Sequence, residues 1–217
     1  MIITIHGPDG SGKSTLADMI VAELEMRGIV ARHYPFRFGV LPPLSALRGG
    51  RRGAVHKPRQ NTDHEDSGAS KDPVYDLSEN TALRTFAYMC WYGTDYMLGG
   101  ITLRLRNIFG RKKHVAVFAR YFYDYYYQSN NRRLSMPIKR MIEVLVPRPQ
   151  FIFFLDRDAQ EIHDGKPELP VEEIAKQQQI IRERLSIYPQ FREVDARAGA
   201  EATARAILHY LQGLPGA

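Results

Sequence analysis

Residues 6–15 read HGPDGSGKST, and their types and spacing suit one kind of chemistry, the binding of a polyphosphate. From Gly7 to Ser14 the run matches G-x-x-x-x-G-K-[ST] without a mismatch. A phosphate chain carries dense negative charge. Glycines let the backbone curl so that its N–H groups point inward, and the positive end of a following helix adds to the field. Lys13 is then placed to reach the β- and γ-phosphates, and the Ser14 hydroxyl to bind Mg²⁺. Gly7, Gly10, Ser11, Gly12, Lys13, Ser14 and Thr15 are therefore the candidate nucleotide-binding residues. A glycine-rich turn with no ligand is the alternative, and the full match in its setting favours the phosphate loop. The loop points to a nucleoside triphosphate, ATP first, without naming an acceptor.

Such a loop needs a strand before it and a helix after it. MIITI is a β-branched apolar run that reads as a buried strand. Leu16, Met19, Ile20 and Leu24 then recur at helical spacing, and Gly28 stands where a C′ residue would end the helix. IVARHY at 29–34 reads as a second strand, HVAVF at 114–118 as a third and QFIFFLD at 150–156 as a fourth. FREVDA carries a weaker signal for a fifth. Helices alternate with these strands, which implies an α/β fold with a parallel sheet.

Between strands two and three the chain changes character. Residues 41–76 are rich in Pro, Gly and charge, too long for an ordinary connection, and read as a functional flap or a disordered loop. Arg48, Arg51, Arg52, Lys57 and Arg59 would suit an anion clamp or a solvated loop. Asp76 and Glu79 have capping-box spacing. Leu83, Phe86, Ala87, Cys90, Trp91, Met97 and Leu98 form the expected apolar stripe of a long helix, ending near Gly99 or resuming beyond Gly100. Residues 170–188 read as a helix with Ile174, Ile181, Leu185 and Tyr188 inward, and AEATARAILHYLQG as the closing one.

A chain of 217 residues supports one good core, so 1–217 reads as a single domain. One cysteine, Cys90, leaves no internal disulfide framework and fits a reducing cytoplasm. The N-terminal run lacks the basic region of a signal peptide, and no apolar run is long enough to span a membrane. A formal charge of +6 suits anionic ligands, with solvated basic loops accounting for most of the excess. The seven histidines are scattered and show no metal-ligand spacing.

Several of these pieces together resemble the thymidylate kinases, and more broadly the thymidylate-kinase-like proteins of the nucleoside monophosphate kinase group. The likeness runs from residue 1 to about 190; DGSGKST and RYFYD are its most specific parts. It implies a P-loop three-layer fold with sheet order 2-3-1-4-5 and helices on both faces, ATP and Mg²⁺ as cofactors, and a homodimer formed through the long helices. It places Asp9 on the acceptor sugar, and Arg37 of YPFR on the acceptor phosphate. It places Phe86 against the acceptor base, and Arg120 between donor and acceptor phosphates. An arginine fork is apt for phosphate oxygens.

The chain also departs from that pattern. Cys90 stands where the family reads the thymine edge with an arginine, so thymidylate is not expected to be preferred. Ala119 precedes Arg120 where the family has Asp, so the carboxylate that organises Mg²⁺ and the nucleophile is missing. Asp124 and Asp156 are the nearest substitutes. An alanine native to this position implies a weakened kinase or a sensor; an Asp-to-Ala change made to trap a complex accounts for it equally. The expected lid, about 157–170, holds only Arg157 and Lys166 as basic residues, with Arg182 and Arg184 beyond it. GKPELPVEEIAKQ resembles the short lid of divergent members found beside polysaccharide and glycosyl-transfer genes.

The leading expectation is an ATP- and Mg²⁺-dependent phosphotransferase acting on a nucleoside monophosphate or similar small phosphorylated acceptor. Lys13, Arg120, Asp9 and position 119 form its catalytic set. A kinase for a sugar or lipid-linked acceptor, and a nucleotide-binding module with little turnover, are the alternatives. Nucleic acid is the weakest reading, because the aromatics of RYFYDYYYQ fit packing better than a stacking platform.

Overall fold

The apolar run at the start of the chain becomes the middle of a sheet. The computed structural model describes residues 1–42, 82–127 and 135–211. Strands β1 (Ile2–His6), β2 (Val30–Tyr34), β3 (His114–Phe118), β4 (Phe151–Asp156) and β5 (Phe191–Asp195) pair in the order β2-β3-β1-β4-β5. Every pairing is parallel, with Ile3 opposite both Val117 and Phe151. This is the α/β architecture and strand order expected. The weakly signalled fifth strand is present, at an edge of the sheet.

Alternation along the strands splits the core in two. Ile3, Ile5, Val115, Val117, Phe153 and Leu155 face α1 (Lys13–Met26) and the closing helix, Ala200–Leu211. Ile2, Ala116, Phe118, Ile152 and Phe154 face the other way. That second face is covered by α2 (Ala82–Phe109), α3 (Asp124–Tyr127), α4 (Met136–Glu143) and α6 (Val171–Leu185). A further helix, α5 (Ala159–Gly165), lies between β4 and α6, and Ala200–Leu211 is α7. Strands buried on both sides explain why β1, β3 and β4 read as continuous apolar runs.

Helix α1 ends as its sequence implies. Gly28 adopts φ +77°, its amide donates to Glu25 O, and the Ile29 amide donates to Leu24 O. These are the paired bonds of a Schellman C-cap.

Helix α2 departs from expectation in two ways. It does not stop near Gly99 but runs unbroken to Phe109. An added Cβ at Gly99 would overlap the Phe38 ring, and one at Gly100 would overlap Pro147. The two glycines are there for close approach and not for termination. The buried stripe is also rotated. Met89, Tyr92, Tyr96 and Leu103 are its deepest residues, whereas Ala87 is exposed and Cys90, Trp91, Met97 and Leu98 are half-buried. Tyrosines hide this stripe in a sequence: their rings supply apolar area while the hydroxyl finds a partner, as Tyr96 does on Phe36 O. The side chain of Leu83, the 43–76 part of the basic loop and the Asp76/Glu79 box lie outside the described residues.

The packing at Gly99 carries a prediction. Gly99→Ala should destabilise the fold by about 1–3 kcal/mol through overpacking, read as a lower urea midpoint. Gly165→Ala, where a Cβ meets nothing within 4 Å, is the control. An unchanged midpoint for Gly99→Ala would refute the close-approach account.

Candidate functional site

At the carboxyl end of β1 the chain turns through residues 7–12 and enters α1 at Lys13. Gly10 and Gly12 hold φ of +90° and +86°, and Gly12 is the N-cap of α1. A side chain at either would be strained. A Cβ on Gly7 would stand 2.6 Å from Ser11 Oγ, so this glycine is set by close approach within the loop. Ser11 Oγ is buried without a hydrogen-bond partner. Ser14 and Thr15 open the helix and are exposed. Curled backbone, left-handed glycines, a helix N-terminus and an unsatisfied hydroxyl together fit a polyphosphate. Ser14, on the first turn, is the residue that would hold its Mg²⁺.

Three charged residues meet over this loop. Lys13 Nζ donates to Gly7 O at 2.9 Å and Pro8 O at 2.7 Å, and lies 3.4 Å from Asp9 Oδ1. The same Asp9 oxygen accepts from Arg120 Nη2 at 2.6 Å. Burial by itself would raise the pKa of Asp9, but Lys13 and Arg120 outweigh it and hold the carboxyl below its ordinary value. Burial pushes the Lys13 ammonium down, with Arg120 adding to the effect while Asp9 and Asp124 oppose it. The lysine is thus folded onto its own loop through groups that a phosphate can replace.

Ala119, at the end of β3, is 2% exposed and packs on the α1 side of the sheet; its amide donates to Tyr34 O at 3.2 Å. Of the two candidate substitutes for a carboxylate here, Asp156 is engaged by Arg182 Nη2 at 2.5 Å. Arg182 also reaches Glu193 at 2.6 Å and covers the Phe154 ring. Asp124 is buried on the opposite side of the sheet from Ala119, beside His6.

Arg37 follows β2, and Phe86 lies on α2. Phe36 packs edge-on against Tyr92, Tyr96 and Tyr125, which pins the YPFR turn. Arg37 lies over the Tyr92 ring, donates to Leu41 O at 2.6 Å and stands 3.5 Å from Asp95 Oδ1. Asp95 is fully buried and also accepts from the amides of Gly39 and Leu41. Asp95 thus ties α2 to the 37–41 turn. Phe86 is partly buried against the second core. Trp91 Nε1 donates to Pro42 O at 3.1 Å. Burial raises the Cys90 thiol, which disfavours its thiolate.

In the segment expected to form a lid, Arg157 turns onto Glu161 along α5. Lys166 comes to the 7–12 loop: its Cβ would be 3.0 Å from a Cβ on Gly10. Arg184 is exposed. The aromatic run after Arg120 is packed inward, with Tyr121, Phe122, Tyr123, Tyr125 and Tyr127 all buried.

The structure therefore joins Lys13 and Arg120 through Asp9, and holds Arg37 on Asp95 and Leu41 O with Phe86 partly buried against the second core. Sequence reasoning missed Asp95 and His6. Asp95 carries a legible signal, a charged residue within the apolar and aromatic buried face of α2; His6 shares its strand face with the polar Thr4 and carries a weaker one. A cavity of about 300 Å³ opens at the other end of the sheet, lined by Leu103, Arg104, Asn107, Pro147 and Gln150, and does not touch the loop. Among the described residues no group of three or more His, Cys, Asp or Glu is placed to hold a metal ion, and no helix is long and apolar enough to cross a membrane. No family model matches this chain, and no curated protein matches it.

Proposed function

We propose that this protein is an ATP- and Mg²⁺-dependent phosphotransferase whose acceptor is a nucleoside monophosphate or a similar small phosphorylated compound. The observation that carries the reading is the loop at residues 7–14: two left-handed glycines, a helix N-terminus and a buried lysine converge at the carboxyl end of a central parallel strand. Open parallel sheets bind ligands at that end. Phosphoryl transfer asks for positioning and charge neutralisation more than for covalent chemistry. In this reading Lys13 and Arg120 leave Asp9 to meet the transferring group, and Ser14 holds the metal. Mg²⁺ would neutralise charge on the phosphates. Arg37, steadied by Asp95 and Leu41 O, would take the acceptor phosphate, and Phe86 its organic part.

Ala119 favours a second reading, a nucleotide-binding module with weak turnover, because an apolar residue closes β3 where a metal-organising carboxylate is expected. Cys90 and the basic 41–76 segment favour a sugar or lipid-linked acceptor over thymidylate. A thermal-shift screen of nucleoside monophosphates and sugar phosphates, with a non-hydrolysable ATP analogue present, tests all three. A stabilising acceptor that then supports ADP release identifies the kinase; stabilisation by the analogue alone identifies the module. dTMP should not stand out, since Cys90 stands where the resemblance places the arginine that reads the thymine edge. A dTMP turnover far above every other candidate would overturn that expectation.

The location proposed is cytoplasmic, in keeping with one half-buried free cysteine. A homodimer through α2 is supported by an exposed stripe of Ile101, Leu105, Ile108 and Phe109 at i, i+4, i+7 and i+8. Sedimentation velocity should give a dimer that Leu105→Glu dissociates; a monomer at every concentration refutes it.

A further inference from the structure

Strand β1 ends on His6, which is fully buried directly before the phosphate loop. Its Nδ1 lies 3.2 Å from Asp124 Oδ1, and Asp124 is as deeply enclosed. Tyr123 and Tyr127 pack on the imidazole, the latter edge-on. An apolar pair would fill this space without taking a carboxylate out of water, so stability alone does not call for it. His6 Nε2 meets no hydrogen-bond partner, while Asp124 also has the Tyr127 hydroxyl beside it. Buried polar atoms are ordinarily satisfied, and orphans ask for a reason.

The surroundings supply one. Asp124 Oδ1 accepts from the Tyr121 amide at 3.4 Å, one residue after Arg120. The other partner of this carboxylate, His6, leads directly into Gly7, whose carbonyl accepts from Lys13 Nζ at 2.9 Å, and the field of Asp124 opposes the effect of burial on that ammonium. Asp9 also serves both cations, but it is partly exposed, bonds them directly and must release them when phosphates arrive. Asp124 is walled in by His6, Tyr121 and Tyr127 and cannot be displaced in that way. Asp156 is held by Arg182.

We propose that Asp124, held by His6, is a positioning residue of the phosphate loop: it fixes the turn that carries Arg120 and stands as the permanent counter-charge behind Lys13. The proposal rests on the reading of residues 7–14 as a nucleotide site. It concerns how the cations are held, and is separate from the carboxylate that position 119 lacks.

Asp124→Asn keeps the shape of the side chain and removes its charge. By Coulomb's law alone, losing a negative charge near a polyanion should tighten ATP binding. The proposal requires the reverse. Calorimetry with Mg²⁺ should show ATP weakened by about tenfold or more. ADP should be weakened less, so that the ratio of ATP to ADP affinity falls roughly threefold or more, because Lys13 serves the terminal phosphates. Looser packing would weaken both nucleotides alike. His6→Asn should give the same pattern, and it keeps the test open if Asp124→Asn does not fold. Unchanged or tighter ATP binding in a folded variant, or equal losses for ATP and ADP, overturns the proposal. Failure of both variants to fold marks the pair as structural and overturns it too. Absence of ATP binding to the unaltered protein instead sinks the nucleotide-site reading, and the inference falls with it.

Discussion

Lys13→Ala is expected to abolish the thermal stabilisation that ATP confers while leaving the unliganded fold intact. The ammonium sits among Gly7 O, Pro8 O and Asp9, all groups of its own loop, in a place where burial disfavours its charge. Its removal frees two carbonyls but also lifts that burial cost, so the two effects on stability oppose each other. Binding has no such compensation. Each charge-assisted hydrogen bond to the phosphates is worth about 1.5–3 kcal/mol, and the loss of two weakens ATP by roughly a hundredfold or more. ATP at 100 times its Kd stabilises a protein by about 2.7 kcal/mol. For a chain of this size that is a shift in Tm of roughly 5–10 °C, at about 2–4 °C per kcal/mol. The variant should show almost none of it. An ATP affinity unchanged by calorimetry would remove the phosphate-loop reading altogether.

Ala119→Asp should raise the rate of phosphotransfer by about tenfold or more. Removing one placed charge-stabilising group commonly costs on the order of 10²–10³ in rate, and restoring one to a scaffold not tuned for it recovers part. Position 119 closes β3 on the side facing α1, immediately before Arg120, which already reaches Asp9 across the loop. Nucleotide binding should change little, since Lys13 and the loop amides carry it. The new carboxylate enters an apolar cluster, so the comparison belongs below the Tm of both proteins. ADP release at saturating Mg²⁺ and ATP, over a panel of acceptors, is the measurement. Equal rates with a good acceptor would show that a carboxylate elsewhere already does this work. Asp124 would then be the one to pursue, because Asp156 is tied to Arg182. Equal and negligible rates across the panel would favour the binding module.

The backbone of the loop at 7–14 was legible because its constraints are local. Gly10 and Gly12 must be glycine for φ to be positive, and Gly7 for the backbone to pass Ser11, whatever the rest of the chain does. The strands were legible for a related reason. A parallel strand covered on both faces must be apolar throughout, and ITI, VAV and FIFFL have few other uses. Helix α2 was misread because glycine has two meanings. As a helix breaker Gly99 suggests an end; as the one residue small enough to let Phe38 approach, it suggests a crossing. Only the position of Phe38, sixty-one residues earlier, separates the two.

By itself the sequence determined the α/β class, the loop at 7–14 and the charged residues available to serve it, since patterning and backbone conformation act over a few neighbouring residues. Which charges meet was decided by the tertiary structure alone. Asp9 and Arg120 are 111 residues apart and His6 and Asp124 are 118 apart, and each pair touches because β3 lies beside β1 and both strands end at one edge. The same packing turned Arg37 onto Asp95 and gave Asp156 to Arg182, leaving Asp124 as the enclosed carboxylate behind the loop. The strength of a charge pair depends on distance and burial, and neither is written in the order of residues along a chain.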